Sequence, residues 1–205
     1  MNLGSLFFVL VAAISGSQSA VLSGGPARAD AIVQDLLQLP APRRVSGAVE
    51  ERRMAIHSQL RDLGDEGIAA LARALADENL MLRRNALLAL YDLGHGVART
   101  GRVAKVDIRS AVPALITAFR DPDASVRAWS IQALTAAEPV PLTAVPALDE
   151  MLQDPAPGVR LSACAAVGQL GVAAAQVKEN LQRLLNDQHQ DVRTCAGFVL
   201  KKISK

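Results

Sequence analysis

The chain has 205 residues, of which 50% are hydrophobic and only 3% aromatic, with a formal net charge of +2 and a pI near 8.7. This length suits one domain with a continuous elongated core, and the lack of any sustained alternation of Val, Ile, Thr and aromatics excludes a sheet protein. The near-balanced, scattered charge does not by itself imply a nucleic-acid partner.

Leu6 to Ile14 is a nine-residue apolar run, too short to span a bilayer but suited to a signal-peptide core. Two exits follow it, Ser17-Gln18-Ser19 and Ala27-Arg28-Ala29. The second is preferred because it is a true A-x-A immediately before the first predicted helix. Residues 1–29 are therefore read as a signal peptide, and the chain as periplasmic or secreted. The region ahead of the run carries no Lys or Arg, so an uncleaved membrane anchor is the alternative.

A cap follows over residues 30–64. Ala31 to Leu39 is its first predicted helix and Val49 to Gly64 its second, joined by a long connection rich in Pro and Gly. From Gly67 onward the chain repeats. Four 28-residue units, 67–94, 111–138, 144–171 and 177–204, align without gaps, the last three at a period of 33. Such a period signals a solenoid, in which each unit buries its apolar face against its neighbours. Each unit opens with a helix-spaced stripe such as Val112, Leu115 and Phe119 (helix A). Asp-Pro at Asp121-Pro122 and Asp154-Pro155 ends that helix, because the residue before proline is pushed out of the α region. A second stripe, for example Val159, Ala163, Ala166, Val167 and Leu170, is helix B. The fold class is thus all-α, an α-solenoid of stacked antiparallel helix pairs.

Between the second and third units lies a sixteen-residue spacer, 95–110, where the later spacers have five. It carries Arg99, Arg102, Lys105 and Arg109 against Asp107, so it is either a neutral surface loop or a cationic contribution to binding.

The pattern D-P-x-x-x-V-R-x-x-A-x-x-A-L in Asp121 to Leu134, and with variants in Asp154 to Val167, resembles the short HEAT-like repeats also found in phycobilin lyases. The resemblance implies that the recurrent Asp77, Asp121, Asp154 and Asp187 form an inter-repeat ladder with Arg83, Arg127, Arg160 and Arg193. It also implies that the B helices line the concave face. At 100° per residue, the eighteenth, twenty-second and twenty-fifth places of each unit point away from the core. These places nominate Arg84, Leu88, Tyr91, Gln132, Leu161 and Phe198 as a partner-binding groove. Trp129 reads as a flank packing residue.

Cys164 and Cys195 fall on opposite flanks of adjacent B helices. Depending on the hand of the superhelix they either meet as a disulfide or remain two small buried apolar residues. Catalytic motifs are missing from the sequence: His57, His95 and His189 sit in three different units with no metal-binding or nucleophile pattern around them. His57 reads as a surface or half-buried histidine, and Gly94 as the end of a B helix. No catalytic residue, metal or cofactor is assigned. The leading expectation is an exported, non-catalytic scaffold for a protein or peptide partner along the concave face. A phycobilin-lyase-like enzyme or enzyme subunit is the alternative. A nucleic-acid-binding protein ranks third, because the outward column offers only Arg84 and Lys201 as cations.

Overall fold

In the computed structural model, residues 25–40, 47–98, 101–102, 104–171 and 176–203 are described. Among them the chain forms five helix pairs: α1 (Pro26–Gln34) with α2 (Gly47–Asp62), α3 (Asp65–Ala74) with α4 (Leu80–His95), α5 (Val112–Thr117) with α6 (Ala124–Leu134), α7 (Val145–Met151) with α8 (Pro157–Leu170), and α9 (Lys178–Leu184) with α10 (Gln190–Ile203). The four repeats thus appear as helix pairs where the period places them. The B helices form a continuous layer, α4 on α6, α6 on α8 and α8 on α10, and each A helix packs on its own B partner.

Local chemistry starts the helices. Asn79 accepts hydrogen bonds from the Met81 and Leu82 amides, and Asp123 from those of Ser125 and Val126, so both satisfy orphan donors at a first turn. Proline sits in the first turn of α5, α7 and α8, where its missing N–H costs nothing. The apolar stripes then meet in one core that runs from Ala29 to Ile203.

The recurrent Arg and Asp form the ladder. Arg83 reaches Asp121 at 2.7 Å, Arg127 reaches Asp154 at 2.8 Å and Arg160 reaches Asp187 at 2.6 Å, each from one unit to the next. The Nη1 of the same arginines donates to carbonyls in the turn of its own unit: Asp77 and Glu78, Asp121 and Pro122, Asp154 and Pro155. Each aspartate also accepts the amide two residues ahead, as Asp121 does from Asp123 at 2.8 Å and Asp154 from Ala156 at 2.8 Å. One guanidinium therefore closes a turn and clamps two units.

Several features differ from the expectation. The first helix starts at Pro26, not Ala31, and continues through a 3₁₀ turn, Asp35–Gln38. Ala29 is fully buried in it, beside Ile32, Val33 and Leu36, because this stripe packs on α3. The spacer holds a two-residue antiparallel hairpin, Val97–Ala98 with Gly101–Arg102, rather than a plain loop. Its return leg is structural: Ile108 is fully buried and the Val106 amide donates to the Leu93 carbonyl. Helix α4 runs to His95 and is capped by Gly96, two residues beyond Gly94, in the left-handed conformation. Gly94 is instead a point of close approach. A Cβ there would lie 2.6 Å from that of Ala136 and 3.1 Å from Ile108 Cδ1.

Removing the clamp should be costly. Arg127→Ala is expected to lower stability by about 1–3 kcal/mol in a urea melt. Arg193→Ala, with no carboxylate on its fork among the described residues, should cost less. The Asp187 carboxyl is held at about 2 by hydrogen bonding from Arg160, reinforced by the His189 amide, against an opposing effect of burial. Its folded value is depressed, so the stability it contributes is present above the ordinary carboxylate range near 4 and is lost as pH falls towards 2. Acid titration of stability should accordingly be shallower in Arg160→Ala.

Candidate functional site

The B-helix column is where the sequence places a binding surface, and its upper half is largely used up by contacts between units. Arg84 donates to Ser125 Oγ at 2.8 Å and pairs with Asp123 at 3.0 Å, both at the start of α6. Tyr91 lies over His95 with ring centroids 4.4 Å apart and meets Trp129 edge-on at 6.0 Å. Gln132 donates to Ser162 Oγ at 3.3 Å. Leu161 is packed against the core and Leu88 is half-buried. Of the six nominated residues, Arg84, Tyr91 and Gln132 thus bind the next unit, and Trp129 packs as a flank residue. Phe198 differs: it is 68% exposed, and Ala165 and Gln169 on α8 and Lys201 on α10 are exposed as well.

The Asp123 carboxyl is stabilised first by its own cap contacts and then by Arg84. Burial raises its pKa, but the Ser125 hydroxyl, the Val126 amide and Arg84 outweigh burial and hold it at about 2.

The two cysteines meet. The Cys164–Cys195 disulfide ties α8 to α10 across a Cα–Cα distance of 6.3 Å, within the usual range for a bridge. The seam therefore brings the two flanks together, and the alternative of two separate apolar thiols does not hold.

The histidines remain apart. His57 is buried rather than superficial, with Nδ1 3.2 Å from the Asp92 carboxylate on α4. His95 Nδ1 lies 3.1 Å from the Tyr91 carbonyl, and His189 is exposed beside Asp187. Buried Asn85 donates to the Leu36 and Leu39 carbonyls at the end of the first A helix. Sequence reasoning missed the His57–Asp92 and Asn85 contacts. Their only signal is a polar residue at a core-facing place, which does not reveal its partner. Among the described residues no cluster of three or more His, Cys, Asp or Glu could hold a metal, and no helix is long and apolar enough to cross a membrane.

The spacer edge forms shallow hollows. One of about 370 Å³ lies between Val106–Arg109 and Ala136–Glu138, and one of about 560 Å³ is lined by Pro139–Leu142 and Leu170. Lys105 pairs with Glu138 at 2.6 Å, and Arg109 with Asp107. The cationic field expected of the spacer therefore rests on Arg99 and Arg102, whose side chains lie outside the described residues, as do the apolar run 6–14 and Ser17-Gln18-Ser19.

Residues 112–201 match the family described as HEAT repeats. Several solved structures share the fold. A structure of the CpcE–CpcF complex of phycocyanin lyase from Nostoc sp. PCC7120 is similar with a TM-score of 0.60 and 23% identity, over 88% of this chain and 65% of that one. A designed armadillo repeat protein in complex with the peptide (KR)4 has a TM-score of 0.56 and 14% identity, over 86% and 82%. An engineered protein of the Northeast Structural Genomics Consortium has a TM-score of 0.57 and 20% identity, over 88% and 85%. No curated protein matches the chain. The match is confined to residues 112–201, and the fold of the described chain is a HEAT/armadillo-like solenoid.

Because Arg84 is committed to Asp123, Arg84→Met should raise the Asp123 carboxyl towards the ordinary range. Carboxyl-detected NMR titration would follow this, and an unmoved Asp123 would show that the pair does not persist in solution.

Proposed function

We propose that the chain is an exported, non-catalytic scaffold that binds a protein or peptide partner along the C-terminal half of its B-helix layer. The carrying observation is Phe198, an aromatic residue 68% exposed at a place where the earlier units have Leu88, Gln132 and Ala165. A rigid, exposed aromatic is a typical anchor for a partner. The packed helices α8 and α10 also expose Ala165, Gln169 and Lys201, a mixed apolar and polar set. That the same fold holds a peptide in a designed armadillo protein supports this use of a solenoid. The likeness to phycocyanin lyase subunits is one of fold alone. The partner is read as protein rather than nucleic acid because Arg84 is already paired, leaving Lys201 as the outward cation of the column.

Export draws on the apolar run and on the disulfide, a bond that persists in oxidising compartments. Cleavage after Ala29 would cut α1 within its first four residues and remove buried Ala29 from the core. The exit Ser17-Gln18-Ser19 leaves α1 whole, so the processed chain is expected to begin at Ala20. N-terminal sequencing of exported protein tests this; intact Met1 in the cytosol would refute export.

Affinity capture from the exported fraction tests the binding face. A partner held by the wild-type chain should be retained at least ~10-fold less by Phe198→Glu, a hot-spot loss of about 1.4 kcal/mol or more. The melting temperature should be unchanged. Equal retention would remove Phe198 from the site.

A further inference from the structure

Helix α2 is the B helix of the first pair, and Arg53 stands on it at the place of Arg83, Arg127 and Arg160. It makes only half of their clamp. Its Nη2 donates to the Pro40 carbonyl, 3.4 Å away just past the first A helix, much as its counterparts donate to their own turns. The other half is missing. Nη1 is taken by Glu50, one turn back on α2, and Nε, which at the other three places reaches the aspartate of the next unit, is buried without a protein hydrogen-bond partner. Asp77 is equally short of its partner. It accepts the Asn79 amide at 2.7 Å, as the ladder aspartates do two residues ahead, but among the described residues no cation pairs with it, and it lines a hollow of about 250 Å³ with Arg73 and Leu82. The connection between the units accounts for this. Arg53 and Asp77 are 24 residues apart, against 27 at two of the engaged rungs, and only Leu63 and Gly64 join α2 to α3. The foot of α2 is drawn tightly onto α3: a Cβ on Gly67 would lie 2.1 Å from the Leu60 carbonyl oxygen. Along the same stripe as Arg53, both ring nitrogens of His57 and the Nε of Arg61 are also buried without a protein hydrogen-bond partner, and α2 meets α4 over a smaller contact than α4 makes with α6.

We propose that Arg53 is a two-position latch between the first helix pair and the array: it rests on Glu50 in the structure, and swings to Asp77 when α2 tilts towards α4. The foot of α2 is the pivot. Gly64, with a φ of +56°, turns the chain there, and Leu60 bears on Gly67. Arg53 stands eleven residues before Gly64, about 16 Å along the helix, so a tilt of about 15° at the pivot carries it about 4 Å. Asp77 is ready to receive it. Its turn is already held by Arg83 Nη1 at the Asp77 and Glu78 carbonyls, 2.9 and 3.0 Å, and its carboxylate is oriented by the Asn79 amide. The swing gives the orphaned Nε a charged acceptor and gives up only a partly exposed carboxylate on the same helix, an exchange of a weak local pair for a charge-assisted junction. The other three junctions are locked; this one is adjustable. The latch is independent of the Phe198 strip.

Changing Asp to Asn keeps the acceptor for the turn amide and removes only the charge, so it isolates the rung. Asp154→Asn, at an engaged rung, should lower the melting temperature of the full chain by about 3 °C or more, and Asp77→Asn by less than about 1 °C. Glu50→Ala frees Arg53. In that background Asp77→Asn should cost at least about 2 °C, the cost should vanish once Arg53→Met is added, and the amides of α2 should exchange faster when Asp77 is changed. Glu50→Gln supplies a second background should Glu50→Ala unfold the first helix pair. A cost of Asp77→Asn in the native chain equal to that of Asp154→Asn would show the rung already made. No cost in either background would show that Arg53 has a single position. Either result overturns the proposal.

Discussion

The array depends on one charge-assisted junction used three times. A guanidinium has more donors than one carboxylate can take, and here the surplus is spent on the carbonyls of the preceding turn. The same side chain thus fixes how a helix pair folds back and how it stacks. Both ions are mostly buried at each junction, Arg127 with 13% and Asp154 with 4% of the side chain exposed. Such a pair tolerates little misalignment, because an unmatched charge in that seam is costly. The ladder therefore sets register, while the leucines and alanines beneath it supply most of the burial.

The spacer shows how strictly that register is kept. The ladder partners are 27 residues apart from Arg127 to Asp154 and from Arg160 to Asp187, and 38 apart from Arg83 to Asp121. The eleven extra residues leave the stack and return to it. Ile108, Gly94 and Ala136 make the return tight, so the excursion is anchored at its foot.

Much of this was legible from spacing. A helical stripe repeats in every unit, so the helix pairs follow from spacing, whereas the pairing of the recurrent Arg and Asp into a ladder came from the resemblance to HEAT-like repeats. Less was legible where one unit's side chain meets a particular residue of the next. The helical angle sets Arg84 and Tyr91 away from the core, but their length lets them reach Asp123 and Trp129, which angle does not disclose. The two cysteines depended on the hand of the stack, a property of the whole array. At Pro26 a cleavage-like A-x-A overlaps the helix that this proline opens, so one stretch carries two competing signals.

The disulfide also changes how the solenoid would carry load. Pulled from its ends, a stack of repeats transmits force along the chain through each unit in turn. Cys164 and Cys195 are 31 residues apart in sequence but joined directly, so tension passes from α8 straight to α10. Helix α9 and the turns on either side of it lie in a closed loop that bears none of it. About 100 Å of chain, at roughly 3.3–3.6 Å per extended residue, is thereby withheld from any stretching. The spring has its stiff section at the C-terminal end, and its extensible length lies in the units before Cys164.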